Sequence, residues 1–180
     1  MDGETKTGSF PSWFQTLVIG RRPKWTLVRI AIVVLTTFVL LEFVLIPIRV
    51  TGVSMAPTYE NGGINFINRL SYLHSKPQRG DVVGVRLQAG EHLMYMKRIV
   101  GLPGETIAFH DGVLFIDEQP MPEPYVKYTS RTWQMAPIHL GPNFYYVVGD
   151  NRSMNFEDHY QGKADLVTGI VGKVILKGKS

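Results

Sequence analysis

The sequence predicts a mainly β protein, a folded antiparallel sheet or barrel, preceded by one N-terminal transmembrane helix. Two observations carry this prediction. A single long apolar run lies between Trp25 and Pro47, near the start of the 180-residue chain. After Arg49 the apolar stretches are short and separated by turn residues, and 18 glycines and 11 prolines leave little room for further long helices.

The apolar run reads WTLVRIAIVVLTTFVLLEFVLIP, roughly the length that a helix needs to cross a bilayer core of about 30 Å. Arg29 lies in its first turns and Glu42 near its other end, where long side chains reach the membrane interface. A membrane anchor is the favoured interpretation. The alternatives are a cleaved secretory signal, whose apolar part is usually about 7–15 residues, and a buried core helix.

The basic residues that flank the run predict its orientation. Three of them precede it, Arg21, Arg22 and Lys24, whereas Arg49 alone follows it before Arg69. Because cytoplasmic flanks carry the excess of Lys and Arg, we expect a cytoplasmic N-terminus and an extracytoplasmic remainder in a plasma membrane protein. The predicted organisation is a cytoplasmic segment, an anchor and a β-rich domain, over residues 1–24, 25–48 and 49–180.

Short alternating segments predict the strands of the β-rich domain. The Asp111-Gly112 pair between two of them is a strong hairpin signal. The stretch Glu118–Pro142, which is rich in proline, is predicted to be irregular. The expected strands are Gly63–Arg69, Asp81–Leu87, His92–Val100, Thr106–His110, Val113–Ile116, Phe144–Val148 and Gly169–Leu176.

Composition argues against several classes of function. The formal net charge is only +4, with no dense basic stripe, so we expect no nucleic-acid partner. The absence of cysteine excludes disulfides, thiolate metal sites and a cysteine nucleophile. The histidines after the apolar run do not have metal-ligand spacing, so we expect neither a metal nor another cofactor.

Three segments contain candidate functional residues: Thr51–Thr58, Tyr95–Glu105 and Gly149–Asn155. Each has an ordinary structural interpretation. The first places a serine in a proline-terminated turn, the second places a lysine on a strand where it could block edge-to-edge aggregation, and the third is good turn chemistry. The case for function therefore depends on the three segments occurring together.

Together with the anchor and the Gly80-Asp81-Val-Val segment, these three segments resemble sequence motifs of the type I signal peptidases. These are membrane-bound serine proteases that remove leader peptides from exported proteins. The resemblance implies that Ser54 is the nucleophile, that Lys97 is its general base, and that the Ser54 backbone N–H stabilises the oxyanion. It also implies that Asp150 and Arg152 support the site.

A lysine base must be neutral when it acts, because an ammonium group cannot accept a proton. A free lysine titrates near 10.4 and a useful base nearer 7–8, and burial among apolar groups lowers a lysine pKa by that much. Tyr95 and Ile99 flank Lys97 on the same strand face and are suitable walls. Arg98 points to the other face and keeps its proton.

The resemblance also implies an extended leader peptide laid beside the segment before Ser54. Such peptides carry small residues at the first and third positions before the cut. Small apolar pockets would select them, and Ile67, Met94 and Tyr95 are the candidates for lining these pockets.

The chain departs from the family pattern after Arg152. Asn155 stands where a supporting hydroxyl is usual, Glu157 replaces an Asp, and His159 replaces an Arg and is interpreted as a surface or packing residue. Gly52 lacks the hydroxyl that many members place two residues before the nucleophile, so the second oxyanion donor is left open. A carboxylate close to Lys97 would raise its pKa and oppose its action as a base.

Two alternatives to a peptidase follow from these features. A non-catalytic relative that binds signal peptides or a secretion component is consistent with the altered stretch after Arg152. A β-barrel regulator resembling self-cleaving repressors would also use serine and lysine, but the membrane span and the lack of a DNA-binding segment oppose it. Retention of both Ser54 and Lys97 favours the enzyme.

Overall fold

The computed structural model describes residues 23–86, 94–157, 162–165, 169–176 and 178. The chain divides into two compact units, Met1–Glu42 and Phe43–Ser180. Helix α1 spans Pro23–Val39 and continues as a π-helical turn over Leu40–Val44. Proline is favoured in the first turn of a helix because the N–H it lacks would have no intrahelical partner there.

The helical segment is long and apolar enough to cross a membrane. Lys24–Val44 comprises 21 residues with a mean hydropathy of 2.4, and its side chains are not buried within the protein. The predicted anchor extended to residue 48, but Leu45–Arg49 instead forms strand β1. Strand formation is favoured there because Ile46 and Ile48 alternate along the strand and pack onto a buried cluster.

The larger sheet has seven strands in the order β1-β2-β11-β3-β4-β9-β10, and all its neighbours are antiparallel. Proline is tolerated in β1 because β1 lies at an edge of the sheet. Strands β3 and β4 lie in the interior of the sheet and are almost wholly buried. Besides β1, the strands are β2 (Ile64–Asn68), β3 (Val82–Val85), β4 (Tyr95–Gly101), β9 (Phe144–Val148), β10 (Gly162–Asp165) and β11 (Ile170–Val174).

The smaller sheet has four strands in the order β7-β6-β5-β8, also antiparallel. Its β5–β6 hairpin turns at Asp111 and Gly112, whose φ angles of 49° and 79° are those of the predicted tight turn. The strands are β5 (Thr106–His110), β6 (Val113–Ile116), β7 (Gln119–Pro120) and β8 (Met135–His139).

One apolar cluster joins the two sheets. Val100 and Val148 from the larger sheet pack with Ile107 and Phe109 from the smaller one around Trp133, which is fully buried. A second cluster, which includes Met55, Ile67 and Met96, lies beneath the β1–β2 connection. This second cluster fixes the connection that carries Ser54.

The prediction of a mainly β fold with one N-terminal helix is confirmed, and a further correction concerns the stretch that was predicted to be irregular. Glu118–Pro142 is not wholly irregular, because it contains β7 and β8 and buries Trp133, whose Nε1 donates to Met154 O at 2.8 Å. Strand β10 was not predicted. The expected ends of two strands, Leu87 and His92, lie outside the described residues.

Candidate active site

Ser54 lies in the connection between β1 and β2, which closes on itself. Val50 N donates to Gly63 O at 2.8 Å, and Gly62 N donates to Val50 O at 2.7 Å. These two hydrogen bonds hold the ends of the loop together. Inside it, Ala56 N donates to Val53 O at 3.0 Å and forms a tight turn at the serine. The half-buried Ser54 is therefore held on a compact, internally bonded loop.

Lys97 lies in the middle of β4, opposite Val83 of β3. Only 2% of its surface is exposed. Burial lowers its pKa from 10.5 to about 8, and the negative charge of Asp150 opposes part of that shift. At pH 7 about a tenth of Lys97 is therefore in the neutral form that a general base requires, and the fraction rises as the pH approaches 8.

Asp150 connects the segment of Ser54 to the strand of Lys97. Its fully buried carboxylate accepts from Arg98 Nε at 2.8 Å and Arg98 Nη2 at 2.6 Å, and from Thr58 Oγ1 at 2.6 Å. The Arg98 guanidinium also lies over the ring of Tyr125, 4.0 Å from its centroid. The charge of Asp150 is thus directed mainly at Arg98.

Arg152 anchors the turn that follows β9. Its guanidinium is buried and donates to both carboxylate oxygens of Glu123, at 2.9 and 2.5 Å, and its Nε donates to Gly149 O at 2.8 Å. It also lies 5.3 Å from the ring centroids of Phe109 and Trp133. These contacts tie the stretch after β7 to the end of β9.

Asn151, between these two residues, contacts the serine loop itself. Its backbone N–H donates to Ser54 O at 3.0 Å, and its Nδ2 donates to Val53 O at 3.1 Å. Asp150 and Asn151 together hold the loop at Val53, Ser54 and Thr58. The Gly-Asp-Asn-Arg turn therefore joins all three segments singled out in the sequence.

A small cavity of about 60 Å³ lies beside Ser54. All three predicted lining residues, Ile67, Met94 and Tyr95, contribute to its wall. The absence of a side chain at Gly84 leaves room for two of these residues, because a β-carbon added there would lie 2.2 Å from Ile67 Cδ1 and 3.1 Å from Met94 Sδ. The remaining lining residues are Ile48, Arg49, Val50, Thr51, Gly52, Met55 and Met96.

Comparison with known proteins identifies the family of the chain. The family model described as "Signal peptidase, peptidase S26" matches residues 24–177. The chain belongs to the peptidase S26 family of signal peptidases. Family membership confirms the predicted family and the class of enzyme, a serine endopeptidase.

Two relatives from Bacillus subtilis show the same relationship. Signal peptidase I T of Bacillus subtilis is 31% identical over 166 residues, which cover 87% of this chain and 78% of that protein. Signal peptidase I V of the same organism is 31% identical over 134 residues, 66% of this chain and 77% of that protein. A crystal structure of a signal peptidase I from Enterococcus faecalis aligns with a TM-score of 0.44 and 24% identity, covering 56% of this chain and 98% of that one.

The stretch that departs from the signal peptidase pattern is only partly described. Asn155 and Glu157 are exposed, while His159 lies outside the described residues. The carboxylate that raises the pKa of Lys97 is that of Asp150. The supporting role predicted for Asn155 stays a prediction. Within the described part of the chain, no group of three or more His, Asp or Glu side chains could hold a metal ion.

Sequence reasoning missed four residues that build the site: Thr58, Glu123, Tyr125 and Asn151. Thr58 and Asn151 stand inside segments that the sequence analysis had already singled out, so their position was a usable signal. Glu123 and Tyr125 lie in the proline-rich stretch, far in sequence from either segment. Nothing in their local pattern pointed to Arg152 or Arg98.

Proposed function

We propose that the chain cleaves signal peptides from exported precursor proteins with Ser54 as nucleophile and Lys97 as general base. The observation that carries this proposal is the state of Lys97, which is 2% exposed and has a pKa lowered to about 8 by burial. A lysine is seldom buried to this degree, and a neutral amine is the form that can activate a hydroxyl.

In the proposed reaction, Lys97 Nζ takes the proton of Ser54 Oγ as the oxygen attacks the carbonyl carbon before the cut. The oxyanion is stabilised by the Ser54 N–H. The C–N bond then breaks, and the departing amine takes the proton from Lys97. Lys97 Nζ then takes a proton from water, which attacks the acyl-enzyme carbonyl. The ester bond to Ser54 Oγ breaks, Lys97 returns the proton to that oxygen, and the signal peptide leaves.

The cavity beside Ser54 supports a preference for small residues before the cut. Its volume is only about 60 Å³. We expect it to favour an alanine methyl over a leucine or phenylalanine side chain. The wall formed by Ile67, Met94 and Tyr95 is suited to apolar groups.

The location proposed for the enzyme is a plasma membrane, crossed once by Lys24–Val44. The basic flank at Arg21, Arg22 and Lys24 supports a cytoplasmic N-terminus and an extracytoplasmic catalytic domain. Because the chain has no cysteine, single cysteines introduced at Ser9 or Lys127 can be labelled in intact cells without background. A membrane-impermeant maleimide should label position 127 and not position 9, and the reverse pattern would overturn the orientation.

The catalytic assignment is tested with the full chain in detergent and a precursor that carries an Ala-x-Ala site. Ser54→Ala and Lys97→Met should abolish cleavage. Ser75→Ala and Lys127→Met remove an exposed hydroxyl and an exposed amine and should leave it intact. A wild-type chain that binds the precursor but cleaves it no faster than Ser54→Ala would instead indicate a non-catalytic binding protein.

A further inference from the structure

Both peptide planes that meet at Ser54 are held by one residue, Asn151. Its N–H donates to Ser54 O at 3.0 Å and its Nδ2 to Val53 O at 3.1 Å. The first carbonyl belongs to the peptide after Ser54 and the second to the peptide before it. Since peptide units are planar, holding both carbonyls restrains both backbone rotations at the serine.

Asn151 is itself fixed. It is 6% exposed, and its Oδ1 accepts from Ser153 N at 3.1 Å and from Ser153 Oγ at 2.6 Å. These two donors assign the oxygen of the carboxamide, which leaves Nδ2 as the atom that faces Val53 O. Its neighbours are locked by the buried ion pairs of Asp150 and Arg152. The position of Asn151 relative to the serine loop is therefore fixed by its own hydrogen bonds and by the ion pairs of its neighbours.

The direction of the Ser54 N–H follows from these contacts. In a trans peptide the N–H points opposite to the preceding carbonyl, so the Ser54 N–H points away from Asn151. Val53 O also accepts from Ala56 N at 3.0 Å, so both lone pairs of that oxygen are engaged. Within the described part of the chain, the Ser54 N–H donates to no protein acceptor.

We propose that Asn151 is a positioning residue that aims the Ser54 N–H at the developing oxyanion through its hold on Val53 O and Ser54 O. The inference rests on the proposed role of Ser54 as nucleophile. Asn151 acts through the serine backbone, so its contribution belongs to the transition state and not to substrate binding.

The structure offers a matched control in Asn65. That residue is 3% exposed, its Oδ1 accepts from Phe66 N and Leu176 N, and its Nδ2 donates to Leu176 O at 3.1 Å. Asn151→Ala and Asn65→Ala thus each remove the side-chain hydrogen bonds named above from a buried carboxamide without changing charge. Only the first of the two variants loses a contact with the serine loop, the Nδ2 donation to Val53 O, while the backbone N–H of residue 151 still reaches Ser54 O.

The experiment measures kcat, KM and the thermal midpoint of both variants in detergent with the Ala-x-Ala precursor. Asn151→Ala should lower kcat at least about 10-fold with little change in KM, since misaiming an oxyanion donor costs less than the roughly 10²–10³ of deleting one. Asn65→Ala should lower the thermal midpoint similarly and keep kcat within about twofold. Equal losses of kcat in the two variants, or a loss confined to KM, would overturn the inference.

A second pair covers the case in which Asn151→Ala does not fold. Asn151→Asp and Asn65→Asp keep one accepting oxygen, replace the Nδ2 donor with a second acceptor and add a negative charge at both positions. A new carboxylate near Lys97 would raise its pKa, so the two variants are compared on the alkaline plateau of activity. The expectation is again a loss of kcat specific to position 151. Cleavage that survives in Ser54→Ala would instead refute the proposed function, so the two failures are distinguishable.

Discussion

Arg98 binds both carboxylate oxygens of Asp150, at 2.8 and 2.6 Å, while the adjacent Lys97 is buried with a pKa of about 8. The two neighbours on β4 therefore have opposite electrostatic situations. Arg98 has its counter-ion in direct contact. For Lys97, the same carboxylate raises the pKa by less than burial lowers it. The protonation of Lys97 is thus set by desolvation first and by Asp150 second.

The pH dependence of cleavage follows from the pKa of Lys97. Below about 8 the amine is protonated and cannot act as a base, so kcat/KM should fall about tenfold for each further pH unit. The measurement is kcat/KM for precursor cleavage between pH 5 and 10, with far-UV circular dichroism to verify folding. A rate that is flat from pH 6 to 9 in folded protein would contradict a lysine base with this pKa.

Replacing Asp150 with asparagine should move this acid limb to lower pH. The carboxylate raises the pKa of Lys97, so its removal lets the amine lose its proton more readily. The same change leaves the Arg98 guanidinium without its buried counter-ion and should cost about 3–5 kcal/mol of stability. A pH titration of kcat/KM with Asp150→Asn at low temperature tests the shift, and an acid limb displaced to higher pH would be inconsistent with it.

Lys97→Met should make the folded protein more stable while it removes activity. The pKa of Lys97 is about 8 in the folded protein and 10.5 in the unfolded chain, so the unfolded state binds more protons between those values. The free energy of unfolding of the wild type therefore rises with pH across that interval, and below it the charged form carries a penalty on the order of 3 kcal/mol.

This stability difference is measured by urea unfolding of both proteins at pH 7 and pH 10. We expect Lys97→Met to be more stable by up to about 3 kcal/mol at pH 7, with a smaller difference at pH 10. Lys127→Met serves as the exposed control and should show no such pH-dependent gain. A Lys97→Met protein that is less stable than the wild type at pH 7 would mean that the buried amine contributes favourable contacts exceeding its desolvation cost.

Glu123→Gln should destabilise the fold strongly. The change leaves the Arg152 guanidinium buried without the carboxylate that now binds it at 2.9 and 2.5 Å, with an expected cost of about 3–5 kcal/mol. Lys173→Met is the comparison, because the Lys173–Asp81 pair is half exposed at the lysine and should contribute at most about 1 kcal/mol. A similar decrease in the thermal midpoint of the two variants would show that the buried Arg152–Glu123 pair contributes no more to stability than the partly exposed Lys173–Asp81 pair.

Two glycine substitutions separate backbone strain from steric collision. Gly104 and Gly112 have φ angles of 88° and 79°, but only Gly112 is crowded, because an added β-carbon would lie 2.1 Å from Ser130 O. Gly104→Ala should cost about 1–2 kcal/mol for the left-handed backbone alone. Gly112→Ala should cost clearly more, and equal thermal midpoints for the two proteins would contradict the close approach of residue 130.

Local signals explain how much of the fold was predictable. Thr106–His110, Val113–Ile116 and Phe144–Val148 match their predicted bounds, because short alternating segments end at turn residues that need a positive φ or proline. Strand β1 was assigned partly to the anchor, since its apolar residues continue the run without a break. Strand β8 was missed because Pro137 weakens the local strand pattern, while its pairing with β5 is a long-range contact.

For the candidate site, the sequence predicted the three segments that form it but not the contacts between them. The resemblance pointed to Ser54 and Lys97, and the pattern around β4 suggested that a lysine base there would be buried. The sequence could not show that Asp150 binds the residue next to Lys97, or that Asn151 reaches the serine loop. Such pairings depend on how β4 and the turn after β9 meet in three dimensions, and residue spacing does not encode that.

The consecutive placement of Lys97 and Arg98 constrains how the site can change. A guanidinium at position 97 would fill comparable space yet never release its proton, and an amine at position 98 could not offer the planar two-point grip that Asp150 accepts. Exchanging the two side chains would keep the composition of the strand and the net charge while abolishing both the base and the counter-ion arrangement. The site therefore requires lysine at position 97 and arginine at position 98 in that order, and two basic residues in the reverse order would not replace them.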